Sequence, residues 1–386
     1  VLKSNKNTNK KEPDVFIKRP EVTPGLTLAM AIGLDKKKLR EGEVGIEIEV
    51  EGKRLPGLNG GLVPPPWKYH ADHSLRGDET GEYVLDAPVM FSEVPQALET
   101  LWNAFETSKT VFNDSNRTSV HIHLNCQRFH INRLAGFAAL HFALEEVLTE
   151  FCGEHRVGNL FCLRGKDAEA IVTWLKKFIQ YDGEYELPDG LHYAGFNASA
   201  LQKFGSIEIR TLRGVSNPNI IQDWVAIYER LYKFSGDFKD PSELVGLFSM
   251  DGPTAFFNTV LGDKADILRN GCGMTGEQIA DSLYAGIRRA QDIAYCRDWS
   301  EFRAIDVSDN PFGMPKNRLI KKVMQAAGIS EVYAEPVVAL QPEYDEEEMP
   351  PYNDSVHLQQ MWQQVSQMYS GTSVNPAPTP DNGWDL

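Results

Sequence analysis

Three stretches alternate strictly between apolar and polar residues, which predicts β-strands with one greasy and one wet face. In EVGIEIEVEG, Val44, Ile46, Ile48 and Val50 fall on one side and Glu43, Glu47, Glu49 and Glu51 on the other. RTSVHIHLNC sets Val120, Ile122 and Leu124 against His121, His123 and Asn125. GSIEIRTLR carries Glu208 and Arg210 on one face, with Arg213 just beyond. A further piece, WKYHADHSLRGDETGEYVLDAPV, reads as two strand-like runs around a polar, glycine-containing turn.

Helical periodicity takes over between and after these runs. PQALETLWNAFETS, NRLAGFAALHFALEEVLTEFC (opened by Asn132), DAEAIVTWLKKFI and PNIIQDWVAIYERLYKF, with Pro218 near its start, are the clearest cases. Beyond about residue 240 the pattern is mostly helical, including GEQIADSLYAGIRRAQDIAYC and KNRLIKKVMQAAG. Strands early and helices late predict an α+β fold, not a parallel βαβ one. The divisions expected are a flexible arm over 1–25, a catalytic core over 26–240, a helical extension completing it over 241–335, and an acidic, Pro-rich tail over 336–386. Within the tail, Leu358, Met361, Trp362, Val365 and Met368 share one face of a short amphipathic helix, suited to docking on its own domain or on a protein partner.

Composition narrows the function classes. The 386 residues, 42% of them hydrophobic, suffice for one large domain with appendages or for two. A net charge of -15 argues against nonspecific binding to nucleic acid or anionic membrane, while leaving a local basic groove open. Five cysteines without CxxC spacing encode neither a disulfide framework nor a zinc knuckle. No run reaches the roughly 20 apolar residues of a membrane span. VLKSNKNTNKKEPD lacks the apolar stretch of a signal peptide, so a soluble protein of the reducing cytoplasm is expected.

The polar faces carry the candidate chemistry. Adjacent same-face glutamates repel unless water or a cation screens them, so the first strand is either a solvated face or a metal site. On the second, the two imidazoles stand about 7 Å apart by the strand rise. One could bind metal and the other a phosphate oxygen. Glu208 and Arg210 form an ordinary cross-strand pair or, beside a metal, a carboxylate holding Mg²⁺ and a guanidinium gripping phosphate. Glu82 is the best carboxylate of its segment, in competition with Asp72, Asp78, Glu79 and Asp86. GEHRVGNLFCLRGK offers Arg156 and Asn159 for substrate or nucleotide recognition, or for packing at a helix end.

Taken in order, G-I-E-I-E, D-H-S-L with E-Y-V-L-D-A-P, S-V-H-I-H-L-N, H-R-V-G-N-L-F-C, and F-N-A-S with S-I-E-I-R resemble the motif set of the amidoligase family. That family is a branch of the glutamine synthetase and glutamate–cysteine ligase superfamily, and the resemblance spans about residues 41 to 240. It implies a curved antiparallel sheet packed with helices, and an ATP- and Mg²⁺- or Mn²⁺-dependent ligase joining a carboxylate to an amine through an acyl phosphate. Glu47, Glu49, Glu82, His121 and Glu208 then correspond to metal ligands. Arg210, Glu208 and Arg156 correspond to catalytic residues, and His123, Arg210, Arg213 and Asn197 to the nucleotide-binding set. His73 stands where the family has Gly or Ser, and Glu82 lies further from Pro88 than the family's E-x-x-S-P spacing. That offset differs by an even number, so a continuous strand keeps Glu82 on the same face. The substrates stay open between a peptide, a protein side chain, a small amine and a modified nucleotide, with Asp72 a candidate base. Rival readings are a guanidino-kinase-type phosphotransferase, a metal-dependent hydrolase using the H-x-H strand, and a non-catalytic protein retaining the fold.

Overall fold

The computed structural model describes residues 27–36, 39–58, 62–72 and 74–303. The N-terminal arm, His73, KNRLIKKVMQAAG and the tail with its amphipathic segment lie outside the described residues.

The alternating runs form a seven-stranded antiparallel sheet. Its strands are β1 (Val44–Lys53), β2 (Trp67–His70), β3 (Glu79–Leu85), β4 (Val111–Phe112), β5 (Ser119–Asn125), β6 (Phe196–Asn197) and β7 (Ser206–Arg213). They run in the order β2-β3-β1-β5-β7-β6, with β4 pairing the end of β1 at Gly52 and Lys53. Val44, Ile46, Ile48, Val120, Ile122, Leu124, Ile207 and Ile209 are all at most 1% exposed, so the apolar face is fully covered. Each such side chain contributes roughly 1.5–3 kcal/mol on burial.

Ten α-helices accompany the sheet among the described residues: α1 (Leu28–Ala31), α2 (Val94–Thr107), α3 (Ile131–Phe151), α4 (Glu169–Gln180), α5 (Ala200–Phe204), α6 (Pro218–Ser235), α7 (Ser242–Leu261), α8 (Ala265–Gly271), α9 (Gly276–Ala294) and α10 (Ser300–Arg303). On the apolar side, Phe105 of α2 meets Tyr83 edge-on with centroids 4.9 Å apart, and Phe137 of α3 lies 5.8 Å from Phe196 of β6. Helix α3 is apolar nearly all round because it is buried nearly all round. Its far side takes α9 at very short range: a Cβ on Gly286 would lie 2.3 Å from the Ala143 carbonyl oxygen. The helical extension as far as Arg303 thus belongs to the same compact unit as the sheet.

Helix starts follow two different rules. Asn217 caps α6 by accepting the Asn219 amide at 3.0 Å, with Pro218 in the first turn, and Thr275 with Gln278 closes a capping box on α9. Asn132, expected to open α3, does not cap it. His130 occupies that position without a side-chain capping bond, and the Asn132 amide instead donates to the Lys239 carbonyl at 2.8 Å. No helix among the described residues is long and apolar enough to cross a membrane.

Candidate functional site

Strand register assembles the polar face. Glu47 pairs with His121, Glu49 with Glu82, His123 with Glu208, and Glu208 with Asn197. Because partners across a ladder point to the same side, β1, β3, β5 and β7 deliver four glutamates and two histidines to one patch. β3 runs without a bulge from Glu79 to Leu85, so Glu82 keeps its place despite its distance from Pro88. Three competing acids are engaged elsewhere, Glu79 accepting the Leu55 amide, Asp78 facing Lys53 and Asp86 pairing with Lys68. Asp72 accepts the Ser74 amide and lies close enough for its charge to act on Glu82.

The patch is tightly wired. His121, 3% exposed, points Nδ1 at Glu47 Oε2 (3.2 Å) and Glu208 Oε1 (3.4 Å). Its Nε2 lies 2.7 Å from the Ser119 hydroxyl, which itself donates to Glu49 Oε2 at 2.6 Å. With its proton committed to Glu49, that hydroxyl accepts from Nε2–H. The hydrogen-bond network therefore assigns Nδ1 as the nitrogen facing two carboxylates, and such a lone pair needs a proton or a metal cation between. Glu47, His121 and Glu208 offer ligand atoms within 4.8 Å of one another, as do Glu49, Glu82 and His121. A donor set of carboxylate oxygens with one imidazole fits Mg²⁺ or Mn²⁺ and lacks the thiolates of a structural zinc site.

The electrostatics show the strain of this assembly. Burial pushes the Glu82 carboxyl up, and the charges of Glu47, Glu49 and Asp72 add to it, raising its pKa to about 7 against the partial relief of Arg210. Burial also works against an ionised Glu47, yet the close approach and charge of His121 and His123 hold it well below the usual carboxylate range. Glu208 is lowered too: burial opposes ionisation, but His123, Arg210 and His121 outweigh it. His123 Nε2 lies 3.1 Å from Glu47 Oε1, an ion-pair approach without hydrogen-bond geometry. Burial disfavours its charged form, but Glu47 and Glu208 raise its pKa. The two histidines, expected to serve separate groups, thus converge on one carboxylate.

Four residues expected in the site take other parts. Arg156, 2% exposed, does not face the acidic patch; it donates to the backbone carbonyls of Thr211 (2.7 Å), Arg210 (2.8 Å) and Leu212 (3.2 Å). Those carbonyls lie where the β5–β7 register slips, Val120 pairing with Leu212 but Ile122 with Ile209, so β7 carries one extra residue. A bulge frees backbone groups from the ladder, and the buried guanidinium satisfies them. Asn197 holds the site together instead of reaching outward: its Nδ2 donates to Glu208 Oε2 at 2.6 Å and its Oδ1 accepts from the Ser199 amide and hydroxyl. Arg213 is carried by the bulge onto the polar face opposite Ser119, well along the strand from His123. Asn159 bonds locally to His155 and Phe161.

Arg210 pairs through Nη1 with Glu208 Oε1, while its buried Nε has no hydrogen-bond partner. A buried, unpaired guanidinium donor beside a carboxylate cluster is suited to an incoming anion. Ser119, and Ser206 whose hydroxyl lies 3.4 Å from His123 Nδ1, were missed by sequence reasoning. Ser119 sits two residues before His121 on the same strand face, so alternation alone would have found it.

Flanking the patch are two cavities. One, of about 460 Å³, lies at the His123 end and includes Leu85, Pro88, Lys203 and Phe204; the other, of about 330 Å³, lies at the Arg213 end beside Glu49 and Glu51. No family model matches this chain, and no curated protein matches it.

Proposed function

We propose that the chain is an ATP-dependent carboxylate–amine ligase of glutamine-synthetase-like type, working with Mg²⁺ or Mn²⁺. The observation that carries this reading is the convergence of Glu47, Glu49, Glu82, His121 and Glu208 on one patch beside the unpaired Nε of Arg210. Glu47, Glu208 and His121 would hold one cation, and Glu49 with Glu82 a second position. When bound, the metal neutralises phosphate charge.

A substrate carboxylate oxygen attacks the γ-phosphorus of ATP, the bond to ADP breaks, and an acyl phosphate forms. The amine then attacks the carbonyl carbon, the C–O bond to phosphate breaks, and inorganic phosphate and a proton leave. Arg210 holds charge on the migrating phosphoryl group through its planar fork. His123, whose charged form Glu47 and Glu208 favour, lies beside the same region. The cavity at the His123 end suits the nucleotide, with apolar walls, the Phe204 ring and the ammonium of Lys203.

An ATP-to-ADP assay with Mg²⁺ against pooled carboxylates and amines, followed by mass spectrometry, tests the reading. The expected result is amide and ADP in equal amounts. A phosphorylated guanidine product would instead mark a phosphotransferase, and nucleotide-independent turnover a hydrolase.

A further inference from the structure

The cavity at the Arg213 end differs in chemistry from the one assigned to the nucleotide. Glu49, Glu51 and Asp114 line it, and among the described residues Arg213 is its only guanidinium. Carboxylate walls repel a triphosphate and attract an ammonium group. Arg213 reaches this cavity only because of the bulge: three positions separate it from Arg210, so a regular strand would place the two on opposite faces. Among the described residues its guanidinium has no hydrogen-bond or ion-pair partner, although three carboxylates line the same cavity. Glu51 is 8% exposed and gives one oxygen to the Arg76 amide at 3.0 Å, while no described group bonds the other. Arg213, its guanidinium resting beside Gly153 at the cavity edge without a described polar partner, thus borders acidic groups lining about 330 Å³, room for a small zwitterion.

We propose that this cavity binds an α-amino acid as the amine substrate, its carboxylate gripped by Arg213 and its amino group set against Glu51 and Glu49. The inference rests on the ligase reading for the word substrate, but the binding it describes is measured independently of turnover. Glu49 belongs both to this cavity and to the metal-type cluster, so an amino group lodged there borders the centre where the acyl phosphate would form. Arg213 is thereby separated from the nucleotide-binding role that the family resemblance implied.

Calorimetric titration of the full chain, with Mg²⁺ and a non-hydrolysable ATP analogue present, tests this against the twenty common α-amino acids and their decarboxylated amines. At least one amino acid is expected to bind, its matched amine about tenfold or more weaker for want of the bidentate contact. Arg213→Gln is expected to abolish that preference, Arg213→Lys to keep part of it, and Glu51→Gln to weaken amino acid and amine alike. Absence of binding by every amino acid overturns the proposal, as does an amine that binds as well as its parent or a preference that survives in a folded Arg213→Gln variant. Amide formation from amines at rates indifferent to Arg213 sinks the pocket but leaves the ligase. Amino-acid binding lost with Arg213 but without ATP-dependent product supports the pocket and sinks the ligase.

Discussion

Two clusters of buried charge lie in this protein, and they are balanced in opposite ways. In the helical layer Glu145 and Glu146 of α3 meet Arg289 of α9 at 3.5 Å, ion pairs without hydrogen-bond geometry. Arg164 reaches Glu146 at 3.3 Å and Asp167 at 2.7 Å, and Lys166 reaches Glu146 at 3.2 Å. Glu145 also accepts the Gly165 amide at 2.7 Å. Three carboxylates thus face three permanent cations, and the acids are answered from within. On the sheet, Glu47, Glu49, Glu82 and Glu208 face one guanidinium and two histidines, and the surplus shows in the upward push on Glu82. Self-neutralised charge ties α3 to α9 and to the 162–168 segment; the unbalanced charge of the sheet cluster is what the proposed metal would neutralise.

Removing ligands from the sheet cluster has the largest expected effect. Glu47→Ala or Glu208→Ala should lower metal-dependent nucleotide turnover by about a thousandfold or more. Both variants should stay folded without metal, with a modest loss of melting temperature, because relieved repulsion among the remaining carboxylates only partly offsets the lost partners of His123, Arg210 and Asn197. Thermal melts with and without Mg²⁺ and ATP check this. Stabilisation by Mg²⁺–ATP equal to wild type in both variants would remove the distinction between the clusters.

The helical cluster should respond in the opposite sense. Glu145→Ala strips Arg289 of one of its two carboxylates and leaves the Gly165 amide without its acceptor, an expected cost of about 3–5 kcal/mol in urea unfolding. Metal dependence of the remaining folded protein should be unchanged. A loss under about 1 kcal/mol would mean that the pairing adds little beyond its own desolvation.

Arg156 belongs to neither pattern, since it is a buried cation spent on backbone carbonyls. Arg156→Ala should cost about 2–3 kcal/mol, read by the same unfolding experiment, because the bulge carbonyls lose their donor. It should also lower turnover through misplacement of Arg210, and Arg156→Lys should recover only part of either loss because an ammonium lacks the fork. Stability equal to wild type would show that water replaces the guanidinium without consequence.

The bulge also explains what the sequence could and could not convey. A period of two is strong enough to put Glu47, Glu49, His121, His123 and Glu208 on one face without any tertiary information. Placing Glu82 on that face needs only an unbroken strand, and β3 is one. Parity fails where a strand gains a residue, which is why Arg213 lies on the site face while its spacing from Arg210 points it inward. Arg156 was misread for a related reason. A charged residue after a helix looks exposed and available, and only the fold reveals that it is buried against the irregular part of β7. Asn197 was placed correctly in space and wrongly in role, because its partner Glu208 is eleven residues away and only strand pairing joins them.

Glu82 gives the finest test of the comparison, through pH. Its carboxyl titrates at about 7 in the metal-free protein, against an ordinary value of 4.5. A carboxyl raised on folding contributes stability that is fully present below the ordinary value and is lost as pH rises through about 7. The metal-free protein should therefore weaken between pH 5 and 8 on this account, and Glu82→Gln should remove that part of the slope. A metal cation reverses the preference, because a bound ion replaces the proton. Below pH 7 each unit of acidity should weaken Mn²⁺ binding up to about tenfold as the ion displaces one proton, and above it the affinity should level off. Titrating Mn²⁺ by calorimetry at pH 6, 7 and 8 in buffers of different ionisation enthalpy reads both the affinity and the proton released. An affinity flat across that range with no proton release would place Glu82 outside the metal site and leave the surplus charge to Glu47, Glu49 and Glu208.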